Sequence, residues 1–152
     1  MSSDAVRQTV VVGADPATIM GIVADLDAYP QWQPDITDVE ILETGDDGKA
    51  RRARFEASAM GMTLSFELEY TYTDTGVRWR LVDSDLLTRN DGSYTLVDQG
   101  DGTTQVTYEL DVDTSITVPG FMRRQIANRV VSSALQGVKR RAEAQELGEV
   151  GH

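Results

Sequence analysis

The sequence has no cysteine, and its only histidine is the last residue, His152. The absence of cysteine excludes disulfides, thiolate zinc sites, iron–sulfur clusters and cysteine nucleophiles. A histidine at the end of a chain is difficult to hold in a fixed geometry, so we expect neither a Ser-His-Asp triad nor a histidine metal site. The sequence therefore predicts no bound metal.

Positive charge is also scarce, because 14 lysines and arginines stand against 25 aspartates and glutamates, which gives a net charge of −11. An acidic surface repels nucleic acid, so we expect no nucleic-acid partner. No apolar run approaches the roughly 18 residues of a membrane span, and we expect no integral membrane association. The polar stretch Met1–Gln8 does not have the composition of a signal peptide, so we expect a cytoplasmic protein.

Motifs for phosphate and calcium are missing as well. The sequence contains no Gly-x-x-x-x-Gly-Lys or Gly-x-Gly-x-x-Gly loop and no Asp-x-Asp-x-Asp-Gly spacing. We therefore expect no cofactor. A chain of 152 residues is long enough for one domain with a sizeable core, and we predict a single domain over residues 1–152, with a core of about 5–145 and a flexible tail at 147–152.

The N-terminal part of the sequence predicts a strand followed by short helices. The valine-rich stretch Val6–Val12 alternates weakly and ends at Gly13. Asp15 and Pro16 form a strong helix start, because aspartate caps free backbone N–H groups and proline suits the first helical position. The segment Tyr29–Pro34 ends this helical region, since residues before proline avoid the helical conformation.

From Ile36 to Asp113 the hydrophobic period is two, which is typical of strands with one buried face. The clearest case is Met62–Tyr72, and we expect about six antiparallel strands in the whole segment. The stretch Leu86–Gly92 fits either a hairpin turn at Asn90–Gly92 or a bulge within one long strand. Local signals leave both interpretations open.

A long amphipathic helix is predicted from Pro119 to about Glu146. Its apolar residues, among them Met122, Ile126 and Val130, recur every four positions. At about 1.5 Å per residue the helix is about 40 Å long, and it needs a sheet against which to bury its apolar stripe. The sequence thus predicts an α+β fold in which one curved sheet grips one long helix.

Several motifs in this order carry a resemblance to a known family. They are Asp15-Pro16 after the first strand, Asp27-x-Tyr29-Pro30-x-Trp32 at the helix break, Gly102-Thr103-Thr104-x-Val106 before the last strand, and the closing helix. Over about residues 5–145 the chain resembles the START-like (SRPBCC) superfamily, and most of all its bacterial polyketide cyclase/dehydrase-type members.

This resemblance implies a helix-grip fold. Such a fold has a curved seven-stranded antiparallel sheet wrapped around a long C-terminal helix, with two short helices after the first strand. It favours one long strand over Leu86–Leu96. It also implies a deep hydrophobic cavity between sheet and helix, since superfamily members bind lipids, sterols, polyketides or quinone-like molecules.

The residues themselves are compatible with such a cavity. The predicted inner face of Ala53–Ala59 carries three alanines, and small side chains there leave space unless the helix docks closely. Residue types alone leave both arrangements open, and the resemblance favours the cavity. The predicted ligand-binding residues are Trp32, Phe55, Ala57, Met60, Met62, Phe66, Tyr70, Trp79, Tyr94, Tyr108, Phe121, Met122, Ile126 and Val130.

Tyr70, Tyr94 and Tyr108 fall on the predicted inner faces and are weak catalytic candidates, because they are the only plausible proton donors once histidine and cysteine are excluded. A phenol with a pKa near 10 needs a nearby cation to become a useful acid at neutral pH. Alternation directs the neighbouring arginines outward, namely Arg52, Arg54, Arg78 and Arg80. The superfamily has no universal catalytic set that the resemblance could supply.

We therefore expect binding or transport of a hydrophobic small molecule (a lipid, a polyketide or a quinone-like compound). The residues favour a role without catalysis but leave enzymatic activity open. One alternative is a polyketide cyclase/dehydratase-type enzyme that uses the pocket tyrosines. A second is a protein-interaction module that uses the sheet edge or the basic face of the last helix. The segment with Tyr29, Pro30 and Trp32 either closes one end of the sheet or gates ligand entry. The sequence leaves monomer and dimer equally open.

Overall fold

The structure, a computed structural model, describes residues 5–59 and 61–151, and of residues 59 and 147–151 it describes only the backbone. The elements in chain order are β1 (Val6–Val12), α1 (Pro16–Val23), a 3-10 turn (Leu26–Ala28), α2 (Tyr29–Trp32), β2 (Ile36–Thr44), β3 (Ala50–Ala59), β4 (Met62–Thr73), β5 (Gly76–Ser84), β6 (Leu87–Asp98), β7 (Thr104–Thr114) and α3 (Gly120–Gly151). The predicted α+β order of one strand, two short helices, further strands and one long helix is confirmed.

The first helix begins where the sequence predicts. The Oδ1 atom of Asp15 accepts a hydrogen bond of 2.9 Å from the backbone N–H of Thr18, and Pro16 occupies the first helical turn. This bond holds the pKa of Asp15 below its ordinary value, because the backbone N–H stabilises the carboxylate. The chain then turns through the 3-10 segment and α2 before it enters the sheet at Ile36.

The sheet has seven strands in the order β1-β7-β6-β5-β4-β3-β2, and every neighbouring pair is antiparallel. Consecutive hairpins therefore build most of it, and only β1 crosses the molecule to pair with β7. The strand β6 continues unbroken from Leu87 to Asp98, so the long-strand interpretation is confirmed and a hairpin turn at Asn90–Gly92 is excluded.

The long helix α3 has 32 residues and a length of about 48 Å. It reaches Gly151, beyond the predicted end near Glu146, and the predicted tail at 147–152 falls where the structure describes no side chains. Its main packing partners are β1 and β7, at one side of the sheet. The fully buried residues of its apolar stripe are Ala127, Val131, Ala134, Leu135, Val138 and Ala142.

The C-terminal half of α3 is also tied to the sheet by polar contacts. Lys139 Nζ donates to the backbone carbonyl of Val11 at 2.9 Å and to Glu143 Oε2 at 2.8 Å. The same carboxylate oxygen accepts the backbone N–H of Gly13 at 2.8 Å. These bonds hold the pKa of Glu143 below its ordinary value, because they stabilise the charged carboxylate, and they fix this half of the helix beside the end of β1.

Close approach of α2 and α3 completes this end of the molecule. A Cβ atom at Gly137 of α3 would lie 2.4 Å from the backbone carbonyl oxygen of Trp32, so only glycine fits there. The rings of Tyr29 and Trp32 meet edge to face with centroids 4.8 Å apart. The Tyr29 hydroxyl donates to the carbonyl oxygen of Val23 at 2.5 Å. The segment therefore packs closely at one end of the sheet, and a role in ligand entry stays a prediction.

Candidate functional site

An unfilled space lies between the sheet and the N-terminal half of α3. It consists of an outer compartment of about 280 Å³ and an inner compartment of about 70 Å³. The two compartments adjoin at a waist formed by residues that line both, namely Gln33, Ile36, Phe66, Asn90, Leu110 and Val130. The predicted cavity between sheet and helix is therefore present, and the helix does not dock closely along its whole length.

The outer compartment has an almost wholly apolar wall. From the sheet, Ala57, Leu64 and Val112 face it, and from α3 it receives Met122 and Ile126. Ala57 is buried at this wall with a single methyl group, so the space in front of it stays open. Apolar walls of this kind bind apolar ligand surface without directional contacts.

Two charged residues, Arg123 and Asp35, also line the outer compartment. Arg123 Nη1 lies 3.5 Å from Asp113 Oδ1, and it donates to the carbonyl oxygen of Val118 at 3.5 Å. The guanidinium group is thereby held between the end of β7 and the first turn of α3.

The inner compartment is aromatic. Its wall contains seven aromatic side chains, those of Tyr29, Phe55, Phe66, Tyr70, Trp79, Tyr94 and Tyr108, of which Phe66 lies at the waist. Tyr94 and Tyr108 are opposite one another in the β6–β7 register, and their ring centroids are 4.6 Å apart. The Trp79 indole packs against both of them.

The sheet makes room for this indole at one position. Trp79 on β5 pairs with Gly92 on β6, and a Cβ atom at Gly92 would lie 2.4 Å from an indole ring carbon. Trp79 Nε1 donates to Asn90 Oδ1 at 3.2 Å, which fixes the ring against β6. The glycine therefore lets the largest ring lie flat in the wall of the cavity.

The three tyrosines named as weak catalytic candidates, Tyr70, Tyr94 and Tyr108, come together at this inner end. Burial raises the pKa of each well above its ordinary value of 10.0, so each phenol stays neutral and holds its proton tightly. Among the described residues no lysine or arginine contributes to these pKa shifts. Within the same part of the chain their hydroxyls make no hydrogen bond to the protein, so they are available to a guest molecule.

The four arginines named in the prediction lie on the opposite face of the sheet, as alternation predicts; they are Arg52, Arg54, Arg78 and Arg80. Arg54 Nη2 donates to Glu67 Oε1 at 2.8 Å, and Arg80 Nε donates to Glu69 Oε1 at 2.9 Å. Their cross-strand pairing keeps these cations on the outer surface and away from the phenols.

Most of the predicted ligand-binding residues line one compartment or both. The outer one contains Ala57, Met62, Phe66, Met122, Ile126 and Val130, and the inner one contains Phe55, Phe66, Tyr70, Trp79, Tyr94, Tyr108 and Val130. Trp32 does not line either compartment, because its ring packs against Gly137 of α3. Phe121 does not line them either, since it is 61% exposed in the first turn of α3. Met60 lies outside the described residues.

Two polar residues of the waist were missed by the sequence analysis. Gln33 follows α2 and is only 6% exposed, and no periodic pattern at that position indicates which way its side chain turns. Asn90 could have been found, because it shares the alternation of the inward residues Tyr94 and Leu96 on β6. The alternation was not followed through Asn90–Gly92, because this stretch also fits a hairpin turn.

Within the described side chains, no group of three or more histidines, aspartates or glutamates is arranged to hold a metal ion. In the same part of the chain no helix is both long and apolar enough to cross a membrane.

A long helix gripped by a curved seven-stranded antiparallel sheet, with a cavity between them, defines the START-like class of proteins. The model of the family described as polyketide cyclase / dehydrase and lipid transport matches residues 12–139. The chain therefore belongs to this family, and the resemblance found in the sequence is confirmed. No curated protein gives a significant match to the chain.

Solved structures agree with this assignment. A START superfamily protein from Mycobacterium smegmatis shares 29% identity over 93% of this chain and 98% of its own, with a TM-score of 0.87. The Zhui aromatase/cyclase from Streptomyces sp. R1128 shares 19% identity over 91% of this chain and 93% of its own, with a TM-score of 0.79. A STAR-related lipid transfer protein from Xanthomonas axonopodis shares 19% identity over 91% of this chain and 85% of its own fragment, with a TM-score of 0.73. For the two structures at 19% identity, the similarity shows a shared fold and nothing more.

Proposed function

We propose that this protein binds or transports a hydrophobic small molecule in the space between the sheet and the N-terminal half of α3. The observation that carries the proposal is the outer compartment, about 280 Å³ of space with an almost wholly apolar wall. Its volume lies close to the lower end, about 300 Å³, of pockets that hold small ligands. Burial of apolar ligand surface supplies most of the binding free energy in such a pocket, at about 25 cal/mol per Å².

Replacement of each of two alanines of β3 by leucine distinguishes a ligand-binding cavity from ordinary core packing. Ala57 lines the outer compartment, whereas Ala53 is fully buried and lines neither compartment. We expect Ala57→Leu to keep the free energy of unfolding within about 1 kcal/mol of the wild type, since its side chain enters empty space. Ala53→Leu overpacks a filled region and costs about 2 kcal/mol.

Binding is measured by isothermal titration calorimetry with 2-naphthol, a neutral bicyclic probe. We expect saturable binding to the wild type and at least about tenfold weaker binding to Ala57→Leu, because the new side chain occupies the same space. Ala53→Leu is the matched control, and we expect it to keep its affinity. The proposal fails if neither 2-naphthol, naphthalene nor 2-naphthoate binds saturably to the wild type.

A polyketide cyclase/dehydratase-type reaction is the second candidate. Its support is the family match together with the neutral phenols that meet at the inner end of the cavity. The raised pKa values weigh against it, because a phenol that holds its proton more tightly is a weaker general acid. Turnover of a poly-β-ketone thioester by the wild type, and its loss in Tyr108→Phe, would establish this candidate. The absence of turnover by a protein that binds the compound would favour the carrier.

A further inference from the structure

The waist between the two compartments contains a buried carboxamide without a protein partner. Gln33 is 6% exposed and lines both compartments. Within the described part of the chain its side-chain amide makes no hydrogen bond, although its backbone N–H donates to the carbonyl of Tyr29 at 2.8 Å. A carboxamide offers two N–H donors and a carbonyl acceptor. Because Gln33 lines both compartments and its amide atoms are accessible, they can bind a polar group of a molecule inside the cavity.

A second carboxamide lies at the same waist. The Oδ1 atom of Asn90 accepts a hydrogen bond from Trp79 Nε1, which leaves the Asn90 amide N–H groups without a partner among the described residues. Asn90 borders both compartments, as Gln33 does. The waist thus presents unused N–H donors from two separate elements, the end of α2 and the middle of β6.

Charged residues of the described cavity wall lie only on the outer side of the waist. None of the described residues that line the inner compartment is charged, and the charged residues of the outer wall, Asp35 and Arg123, lie in the wall of the outer compartment alone. Burial of an anion without a paired cation is far more costly than burial of a neutral polar group. Burial in the same surroundings raises the pKa of Tyr70 and Tyr94, because a buried phenolate is poorly solvated.

We propose that the ligand is an apolar molecule with an uncharged carbonyl or hydroxyl end, and that this end lies at the waist, where the Gln33 carboxamide binds it. This proposal rests on the proposed binding function and adds the orientation and chemical class of the guest. The apolar body fills the outer compartment, and the oxygen-bearing end points toward the phenols of the inner one. Carboxylates and phosphates are disfavoured, because the inner end offers them no cation.

Three matched probes test the chemical class on the wild-type protein. The probes are 2-naphthol, naphthalene and 2-naphthoate, which share one ring system and differ only at the end group. We expect 2-naphthol to bind about tenfold more tightly than naphthalene, because it gains a hydrogen bond in a buried site. We expect 2-naphthoate to bind at least about 100-fold more weakly than 2-naphthol.

A single variant tests the role of Gln33. Gln33→Met keeps the length of the side chain and removes its hydrogen bonds. We expect it to weaken 2-naphthol binding about tenfold while leaving naphthalene binding unchanged. Gln136→Met on the exposed surface of α3 is the matched control, with no expected effect on either probe. Nitrogen–proton NMR gives a second readout, in which the Gln33 side-chain N–H signals shift with 2-naphthol and not with naphthalene.

The outcomes separate the two proposals. If none of the probes binds, the binding function itself is wrong. If the probes bind with equal affinity, or if 2-naphthoate binds best, the cavity accepts guests but the neutral-end proposal is overturned. Equal 2-naphthol affinities for the wild type and a folded Gln33→Met also overturn it. Should Gln33→Met fail to fold, the wild-type probe series and its NMR signals still decide the question.

Discussion

The two halves of α3 cover the same sheet and differ in what lies beneath them. From Val131 to Ala142 the helix is packed against β1, β7 and α2, and the residues of its contact face are buried. From Gly120 to Val130 it spans a cavity, and its apolar residues Met122, Ile126 and Val130 are only half-buried. One part of the helix thus stabilises the fold, and the other part borders an unfilled space.

Side-chain size explains this difference. Gly137 and Ala134 let the C-terminal half lie close to its neighbours, and the Lys139–Glu143 pair fastens it to the end of β1. In the N-terminal part, Met122, Ile126 and Val130 border the cavity, and Ala57 of β3 adds little volume from below. Packing at native density is therefore reached at one end only.

The largest expected effect comes from Gly137→Ala in the packed half. The added Cβ would meet the backbone carbonyl oxygen of Trp32 at 2.4 Å, and a backbone atom cannot rotate away as a side chain can. We expect a loss of about 3 kcal/mol in the free energy of unfolding, measured by urea denaturation. Gly21→Ala in α1 is the control, because nothing lies within 4 Å of its added Cβ. We expect that change to be neutral or slightly stabilising. Equal stabilities of the two variants would contradict the close packing of this half.

The second-largest expected effect is a difference in stability between variants of two adjacent valines. One valine lies in the packed part of α3 and the other lines the cavity. Val131 is 0% exposed in the packed half, whereas Val130 is half-buried at the waist of the cavity. We expect Val131→Ala to cost about 2 kcal/mol of unfolding free energy, because it opens a new cavity in a filled region. Val130→Ala enlarges a space that already exists and costs less than about 1 kcal/mol. A larger loss at Val130 than at Val131 would reverse the assignment of the two halves.

Stability at alkaline pH tests whether water is excluded from the inner compartment. Burial raises the pKa of Tyr70, Tyr94 and Tyr108 in the folded protein, so the unfolded chain ionises first as pH rises past about 10. The stabilising effect is complete below that pH and is lost above it, at about 1.4 kcal/mol per pH unit for each such tyrosine. We expect phenolate absorbance to appear together with unfolding. Phenolate formation near pH 10 in a protein that stays folded would show that these rings are in contact with water.

The smallest effect concerns the first turn of α3. Met122 lines the outer compartment, whereas its neighbour Phe121 is exposed and lines neither compartment. We expect Met122→Ala to weaken 2-naphthol binding a few-fold through lost apolar contact, and Phe121→Ala to leave it unchanged. Calorimetric titration of both variants measures the difference. A larger loss in Phe121→Ala would place the ligand outside the cavity described here.

The architecture could be predicted because it depends on repeating local signals. Alternation marked the strands, Asp15 and Pro16 marked the start of α1, and the four-residue repeat marked α3. The same alternation placed Tyr70, Tyr94 and Tyr108 on the inner face correctly. These residues lie in regular strands, where the direction of a side chain follows from its position in the sequence.

The remaining features of the site depend on contacts between elements that are distant in sequence. The position of Trp32 is set by the close approach of Gly137 on α3, and no local pattern shows that this approach takes the ring away from the cavity. Gln33 lies in an irregular turn, where direction does not follow from period. The volume of the hollow depends on how far α3 stands from β3, and composition alone leaves that distance open.

The most direct test of the account is a crystal structure of the protein under xenon pressure. Apolar cavities that are empty of water take up xenon. We predict a xenon atom in the outer compartment, between Ala57 on β3 and Ile126 on α3. A packed interior at this place, with side chains of α3 in contact with β3 and no bound xenon, would contradict the account.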